Sequence, residues 1–319
     1  MDEKLQQEIA KHFEERGVRG QTILLPILDR LVMAVPLVAT ERAAEYRDLL
    51  RKHKVTIVLD HNTHARFSAL PPAGKIFLGV DGLERSWAYC HLFVGAFALY
   101  LSDKPQKLDA PPADELLQTM VQSLDWAVEN DLEQRGAVYP AELPQPRANP
   151  YDGSYFEQLH FNSYVTAVAW IILHEIAHLV LGHSTEHTKD VVRLRQDELD
   201  ADAWAADWML SKAESQDIVL QRLRAICIGV ALAAYLEMWV TFEGEPDHPR
   251  YPQRLVAMLD RFGPLVSDDR LRKGLWMTGA MLVFQRAALA DKQHLFEDYN
   301  FYRRPRLYIR RAMAVYPNG

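Results

Sequence analysis

A chain of 319 residues, 49% hydrophobic and 25% charged, has the composition of a globular protein large enough to bury its own core without disulfides. Its 36 basic residues against 43 acidic ones give a net charge of −7, which argues against a nucleic-acid-binding protein. Two cysteines, Cys90 and Cys227, make no disulfide framework; in apolar surroundings they read as core residues and point to a reducing, cytoplasmic setting.

The first five residues are polar and charged, unlike a secretory signal peptide. Residues 3–16 and 40–52 carry helical apolar spacing, and the apolar stretch 22–38 between them has room for a short helix between Pro26 and Pro36. Residues 54–59 and 75–80 are rich in β-branched and aliphatic side chains and are predicted as strands, the second following Pro71-Pro72-Ala73-Gly74. Helix returns over 84–101. A proline-rich segment, 104–112, leads to a helix over 113–135 with Asp114 as its N-cap candidate. Residues 136–153 hold four prolines and form a long irregular connection, a candidate lid. Three helices follow, over 154–181, 191–212 and 218–242, and 253–316 is largely helical with breaks near 263–264 and 304–305. The best membrane candidates, 92–101 and 225–236, fall short of the ~18–20 apolar residues of a spanning helix, so no integral span is expected.

The segment that specifies a chemistry is His174-Glu175-Ile176-Ala177-His178. Histidines four apart on a helix stand on one face, about one turn from each other, where one Zn²⁺ can take both imidazoles. Glu175 is then the candidate general base on the metal's water. A buried charged run inside so apolar a helix is costly unless paired or bound to metal. A third histidine ligand is not expected, because His183 lies nine residues past His174 and directly after Gly182, which reads as a place near the site or at the surface. His160, ~21 Å back along the same helix, is too far to be a ligand. His53, His61, His64 and His187 read as surface residues in polar surroundings.

The third ligand is sought in the acidic run that starts at Asp197. On a helix Glu198, Asp202 and Ala205 share a face. Glu198 is the candidate third metal ligand, and Asp202, one turn on, is placed to accept the free ring N–H of a ligand histidine and fix its tautomer.

His174-Glu-x-x-His178 followed by Glu198-x-x-Ala201-Asp202 resembles the gluzincin metallopeptidases, in particular the family of prenyl-protein proteases and bacterial heat-shock membrane proteases. Two weaker stretches are similar to the same family. The run from Ala65 through Leu70-Pro71 to Gly74 and Leu78 looks like its segment leading into a substrate-binding edge strand. His248-Pro249 with Arg254-Leu255 looks like its His-Pro…Arg-Ile element. The family's Asn-Ala-Phe is not reproduced, since Arg66 intrudes, and its transmembrane helices are missing. The string from His174 to His183 also resembles soluble bacterial peptidases of the phage-exclusion (Lit-like) type and repressor-cleaving proteases of mobile elements.

The resemblance implies an α+β, predominantly α-helical fold: a zincin-like metallopeptidase core with a small β-sheet before the active-site helix. The expected organisation is an N-terminal helical region with the sheet (1–112), a core with the zinc site (113–255) and a C-terminal helical region (256–319). The function expected is that of a zinc metalloendopeptidase acting on a protein or peptide substrate, with one Zn²⁺ per chain held by His174, His178 and Glu198. His248, then Arg254, then a tyrosine between 151 and 164 are candidates to stabilise the oxyanion. Two alternatives stand beside it: a latent antiphage or stress protease with one host target, and a zinc-binding regulatory module without activity. The intact Glu175 and the lack of ligand cysteines favour an enzyme.

Overall fold

The centre of the molecule is a 27-residue helix that is buried on nearly every side. The computed structural model describes residues 22–60, 67–101, 108–132, 139–183, 190–238, 249 and 251–268. In chain order these form α1 (Leu28–Val32), α2 (Ala34–Val38), α3 (Ala43–His53), β1 (Thr56–Asp60), β2 (Phe67–Leu70), β3 (Lys75–Gly79), α4 (Val80–Ala96), α5 (Ala113–Leu132), α6 (Tyr155–Leu181), α7 (Val191–Leu210), α8 (Gln216–Met238) and α9 (Tyr251–Phe262). Among the described residues the protein is mostly helical with one small three-stranded sheet, in keeping with an α+β class.

Local chemistry sets the ends of α6. Ser154 and Glu157 form a capping box: the Ser154 Oγ accepts from the Glu157 N–H at 3.2 Å, and Glu157 accepts from the Ser154 N–H at 2.7 Å. Gly182 ends the helix in the left-handed region at φ 70°. Among the described residues α6 is the one helix long and apolar enough to cross a membrane, a property expected less of it than of 92–101 or 225–236, yet most of that apolar stretch is buried inside the protein. It packs against α2, α4, α7, α8 and β2. One continuous hydrophobic core runs from Leu24 through Trp170 to Val266 and joins the regions on either side of residues 112 and 255.

The sheet has the order β1-β3-β2, with β1 parallel and β2 antiparallel to β3. Ile76 and Leu78, two apart on β3, are fully buried on the core face. β2 was not foreseen; its four residues are too few for a periodic signal. Its presence corrects the expected place of the edge: β3 is the central strand, and β2, which packs on α6, is an edge whose Ser68 and Leu70 are exposed. The β2–β3 turn requires Gly74, since its φ is 60° and a Cβ there would stand 2.6 Å from the Lys54 carbonyl oxygen. The segment 22–38 holds two short helices rather than one; Pro36 falls in the first turn of α2, where no N–H is needed. Asp114 lies inside the first turn of α5 rather than at its N-cap, and His53 is half-buried rather than at the surface. Residues 3–16, the turn at 61–62 and the end of the chain from 269 lie outside the described residues.

Two arginines close the C-terminal end of α7. Arg42 donates to the Trp208 carbonyl and stacks on the Trp208 ring, and Arg222 donates to the Met209 carbonyl at 2.7 Å while pairing with Glu41. Buried cations thus meet the carbonyl groups that a helix end leaves without partners.

Where α6 crosses α8, Gly229 admits the Trp170 ring: a Cβ would come within 2.7 Å of the ring and 3.2 Å of the Ala167 carbonyl oxygen. Gly229→Ala is expected to destabilise the protein by about 1–3 kcal/mol through overpacking. Gly95→Ala, which meets the flexible Met120 side chain, is expected to be near neutral. Urea denaturation of the two variants separates these outcomes.

His91 and His160 are buried between α4, α5 and α6, where His91 Nε2 donates to Thr119 Oγ1 at 3.1 Å and His160 Nε2 to the Trp87 carbonyl at 3.1 Å. Burial lowers them from the ordinary 6.5 to about 3 and about 4. The unfolded chain takes up these protons below about pH 6.5, whereas the folded chain takes them up only near their depressed values. The stability they contribute is therefore fully present above pH 6.5 and is lost as the pH falls towards 4. Thermal melting followed from about pH 7.5 to about 4.5 should show this decline, with a shallower slope in His160→Gln.

Candidate metal centre

The site forms where the C-terminal third of α6 meets the first half of α7. Along α7, residues 198, 201, 202, 205 and 209 fall on one face, and all are buried. Ala201 and Ala205 have little bulk, so the helices approach closely and Glu198 and Asp202 are carried against the α6 histidines. His174 and His178 follow one another on the facing side of α6.

The donor atoms converge. His174 Nε2 and His178 Nε2 are 3.1 Å apart. Glu198 Oε2 lies 3.3 Å from His174 Nε2, and Oε1 lies 3.4 Å from His178 Nε2. One ligand atom from each residue lies within 4.8 Å of the others, and the group can hold a metal ion. Glu175 is buried beside His174 in the chain.

Behind the donors stands a second carboxylate. His174 Nδ1 lies 2.9 Å from Asp202 Oδ1, as the α7 face predicts. Asp202 also accepts from Arg254 of α9, at 2.8 Å from Nε and 2.7 Å from Nη2. Arg254 is 1% exposed, and its Nη2 lies 3.7 Å from Glu198 Oε2. Burial raises the cost of charge on Asp202, but the Arg254 guanidinium outweighs it and holds the carboxyl below its usual range. Burial likewise opposes charge on His174, but Asp202 and Glu198 against its ring overcome this and raise its pKa. His178 is driven down by burial and by charge on His174.

The sequence-derived residues His174, His178, Glu198 and Asp202 come together here, and Arg254 joins them through Asp202. His183 stands at the rim, its Nδ1 3.0 Å from His178 Nδ1. His160 is elsewhere, in the core beside Trp87. Of the tyrosines between 151 and 164, Tyr164 is buried and donates to the Leu83 carbonyl at 2.8 Å, whereas Tyr151 and Tyr155 are exposed. His248, Ala65 and Arg66 lie outside the described residues. The bidentate use of Arg254 by Asp202 was not legible in the sequence, because α9 is brought to α7 only by packing.

A helical body with a buried, metal-competent donor set at its centre is the setting of the comparisons with known proteins. The chain belongs to the peptidase U49 family, whose model matches residues 78–275, from the end of β3 onward, and so includes the whole donor set and Arg254. It is 26% identical over 229 residues to the cell death peptidase of Escherichia coli (strain K12), an alignment covering 69% of this chain and 75% of that protein. No solved structure matches it. The protein is thus a peptidase, and its substrates are peptides or proteins.

Removing the guanidinium would leave Asp202 buried without its strongest counter-charge. Arg254→Met is expected to destabilise the fold by about 3–5 kcal/mol, whereas the double variant with Asp202→Leu recovers much of that loss. Chemical denaturation of the single and double variants measures the difference.

Proposed function

We propose that this protein is a zinc metalloendopeptidase of gluzincin type, with one Zn²⁺ held by His174, His178 and Glu198. The observation that carries the reading is the convergence of two imidazoles and one carboxylate. Donors on a tetrahedron with zinc bonds of about 2.0–2.1 Å stand about 3.3 Å apart; the two histidine Nε2 atoms are 3.1 Å apart, and Glu198 brings one oxygen to 3.3 Å from the first and its other oxygen to 3.4 Å from the second. Two imidazoles and one carboxylate, with no thiolate, are also the donor chemistry of catalytic rather than structural zinc.

Zinc, when bound, supplies Lewis-acid polarisation of the substrate carbonyl and acidifies water at its open position. Glu175 takes the proton of the attacking water and delivers it to the leaving amine. His174 would hold the metal through Nε2, with Nδ1 turned to Asp202, whose carboxylate would then fix the tautomer. Arg254 neutralises Asp202 and is assigned here to positioning; through Nη2 it also contributes positive potential near Glu198. His248 remains the first candidate for the oxyanion helper, on its likeness to the His-Pro…Arg-Ile element. The exposed edge strand β2, next to α6, is suited to pair with an extended substrate. This gives a zincin-like core running through 113–255, preceded by the sheet-bearing region and followed by a helical one. Two unpaired buried thiols favour a cytoplasmic setting.

A second reading, a latent protease with a single host target, is favoured by the likeness to a protein named cell death peptidase. The chemistry would be the same and only the regulation would differ.

Glu175→Gln is expected to retain stoichiometric zinc and lose about 10²–10⁴-fold in peptide-bond cleavage. Glu198→Ala is expected to lose the metal itself. Metal content by plasma emission, beside cleavage of an unfolded protein substrate, tests both; zinc-free wild type or an active Glu175→Gln would refute the mechanism.

A further inference from the structure

The second ligand histidine has a carboxylate-backed support of its own. The chain leaves α6 through Gly182, whose left-handed turn lets the His183 N–H bond to the His178 carbonyl at 3.0 Å. The turn folds His183 back onto the helix it has just left, and the rings of His178 and His183 meet edge to face with centroids 5.0 Å apart. Their Nδ1 atoms are 3.0 Å apart. Two ring nitrogens at that distance repel unless one carries a proton, so the contact restricts both tautomers. His178 turns its Nε2 to Glu198 and His174. The atom facing His183 is thus the one on the far side of the ring from the metal position. The other ring nitrogen of His183, Nε2, lies 3.7 Å from Asp197 Oδ1, an ion-pair separation longer than a direct hydrogen bond. The His183 and Asp197 side chains are 10% and 18% exposed, so bulk water screens this pairing little.

We propose that His183 is a positioning residue for the metal ligand His178, and that with Asp197 it forms a second carboxylate–histidine relay parallel to that of Asp202 on His174. The inference rests on the zinc-site reading above. With Nε2 given to the metal, His178 holds its proton on Nδ1 and donates it to His183 Nδ1. His183 then carries its own proton on Nε2, facing Asp197. Asp197 stabilises the partial positive charge passed along the two rings, which makes His178 a better electron donor to the metal. One helix, α7, thereby presents Asp197 to the relay, Glu198 to the metal and Asp202 to the other histidine. His183 is excluded as a ligand to the same ion, because it meets His178 on the opposite side of the ring.

The test is zinc affinity of the full-length protein, by competition with a chromophoric chelator, with no turnover required. His183→Leu preserves bulk but cannot accept the Nδ1–H, and zinc is expected to weaken about 10–100-fold. His183→Asn offers a carbonyl oxygen as acceptor and is expected to stay within about threefold of wild type. Unchanged affinity in His183→Leu, or an equal loss in both variants, overturns the relay while leaving the zinc site intact. Wild type that takes up no zinc overturns the proposed function, and the relay with it. Should His183→Leu fail to fold, Asp197→Asn leaves both rings in place and decides the matter: weaker zinc binding supports the relay and unchanged binding overturns it.

Discussion

Asp202 is the group on which the architecture of the site depends. Its carboxylate is buried and meets His174 of α6 and Arg254 of α9 at once, so three helices share one anion. In a medium of low polarity such a group is tolerated only if its oxygens are satisfied. The two Arg254 hydrogen bonds do this, and with His174 Nδ1 2.9 Å from the same carboxylate they tie the placement of α6 and α9 to α7. The geometry of the donor atoms in front of Asp202 follows from that constraint.

The surrounding body exists to hold α6 still. A helix this apolar is stable in water only when enclosed, and α2, α4, α7, α8 and β2 enclose it. The fully buried Trp170 sits one turn before His174, with ring centroids 5.5 Å apart, and its ring occupies space that a side chain at Gly229 would fill. Packing thereby supports the face of α6 that carries His174. The clasp of Arg42 and Arg222 on the last carbonyls of α7 anchors the opposite end of the helix that bears the carboxylates.

Membership of a peptidase family gives this arrangement its meaning. Two carboxylates are buried against the two imidazoles: Asp202 is met directly by Arg254, and Glu198 keeps one oxygen towards each histidine. Such a donor set can hold a metal ion.

Local chemistry was legible in the sequence. The four-residue spacing of His174 and His178, the face shared by Glu198 and Asp202, the start of α6 near Ser154 and its stop at Gly182 all follow from the helical period and from capping rules, which act over a few residues. The burial of Cys90 and Cys227 follows from their apolar neighbours. What required the tertiary structure was every relation between distant segments. β2 is too short to show a period and is defined only by pairing with β3. Arg254 lies 52 residues from Asp202, and no local rule directs a guanidinium to that carboxylate rather than to a substrate. The meeting of His183 with Asp197 likewise depends on how α7 is docked. The sequence by itself determined which side chains are candidates for the chemistry, because periodicity and residue type act locally. The tertiary structure alone decided which of them meet, because that is set by the packing of helices around a shared buried charge.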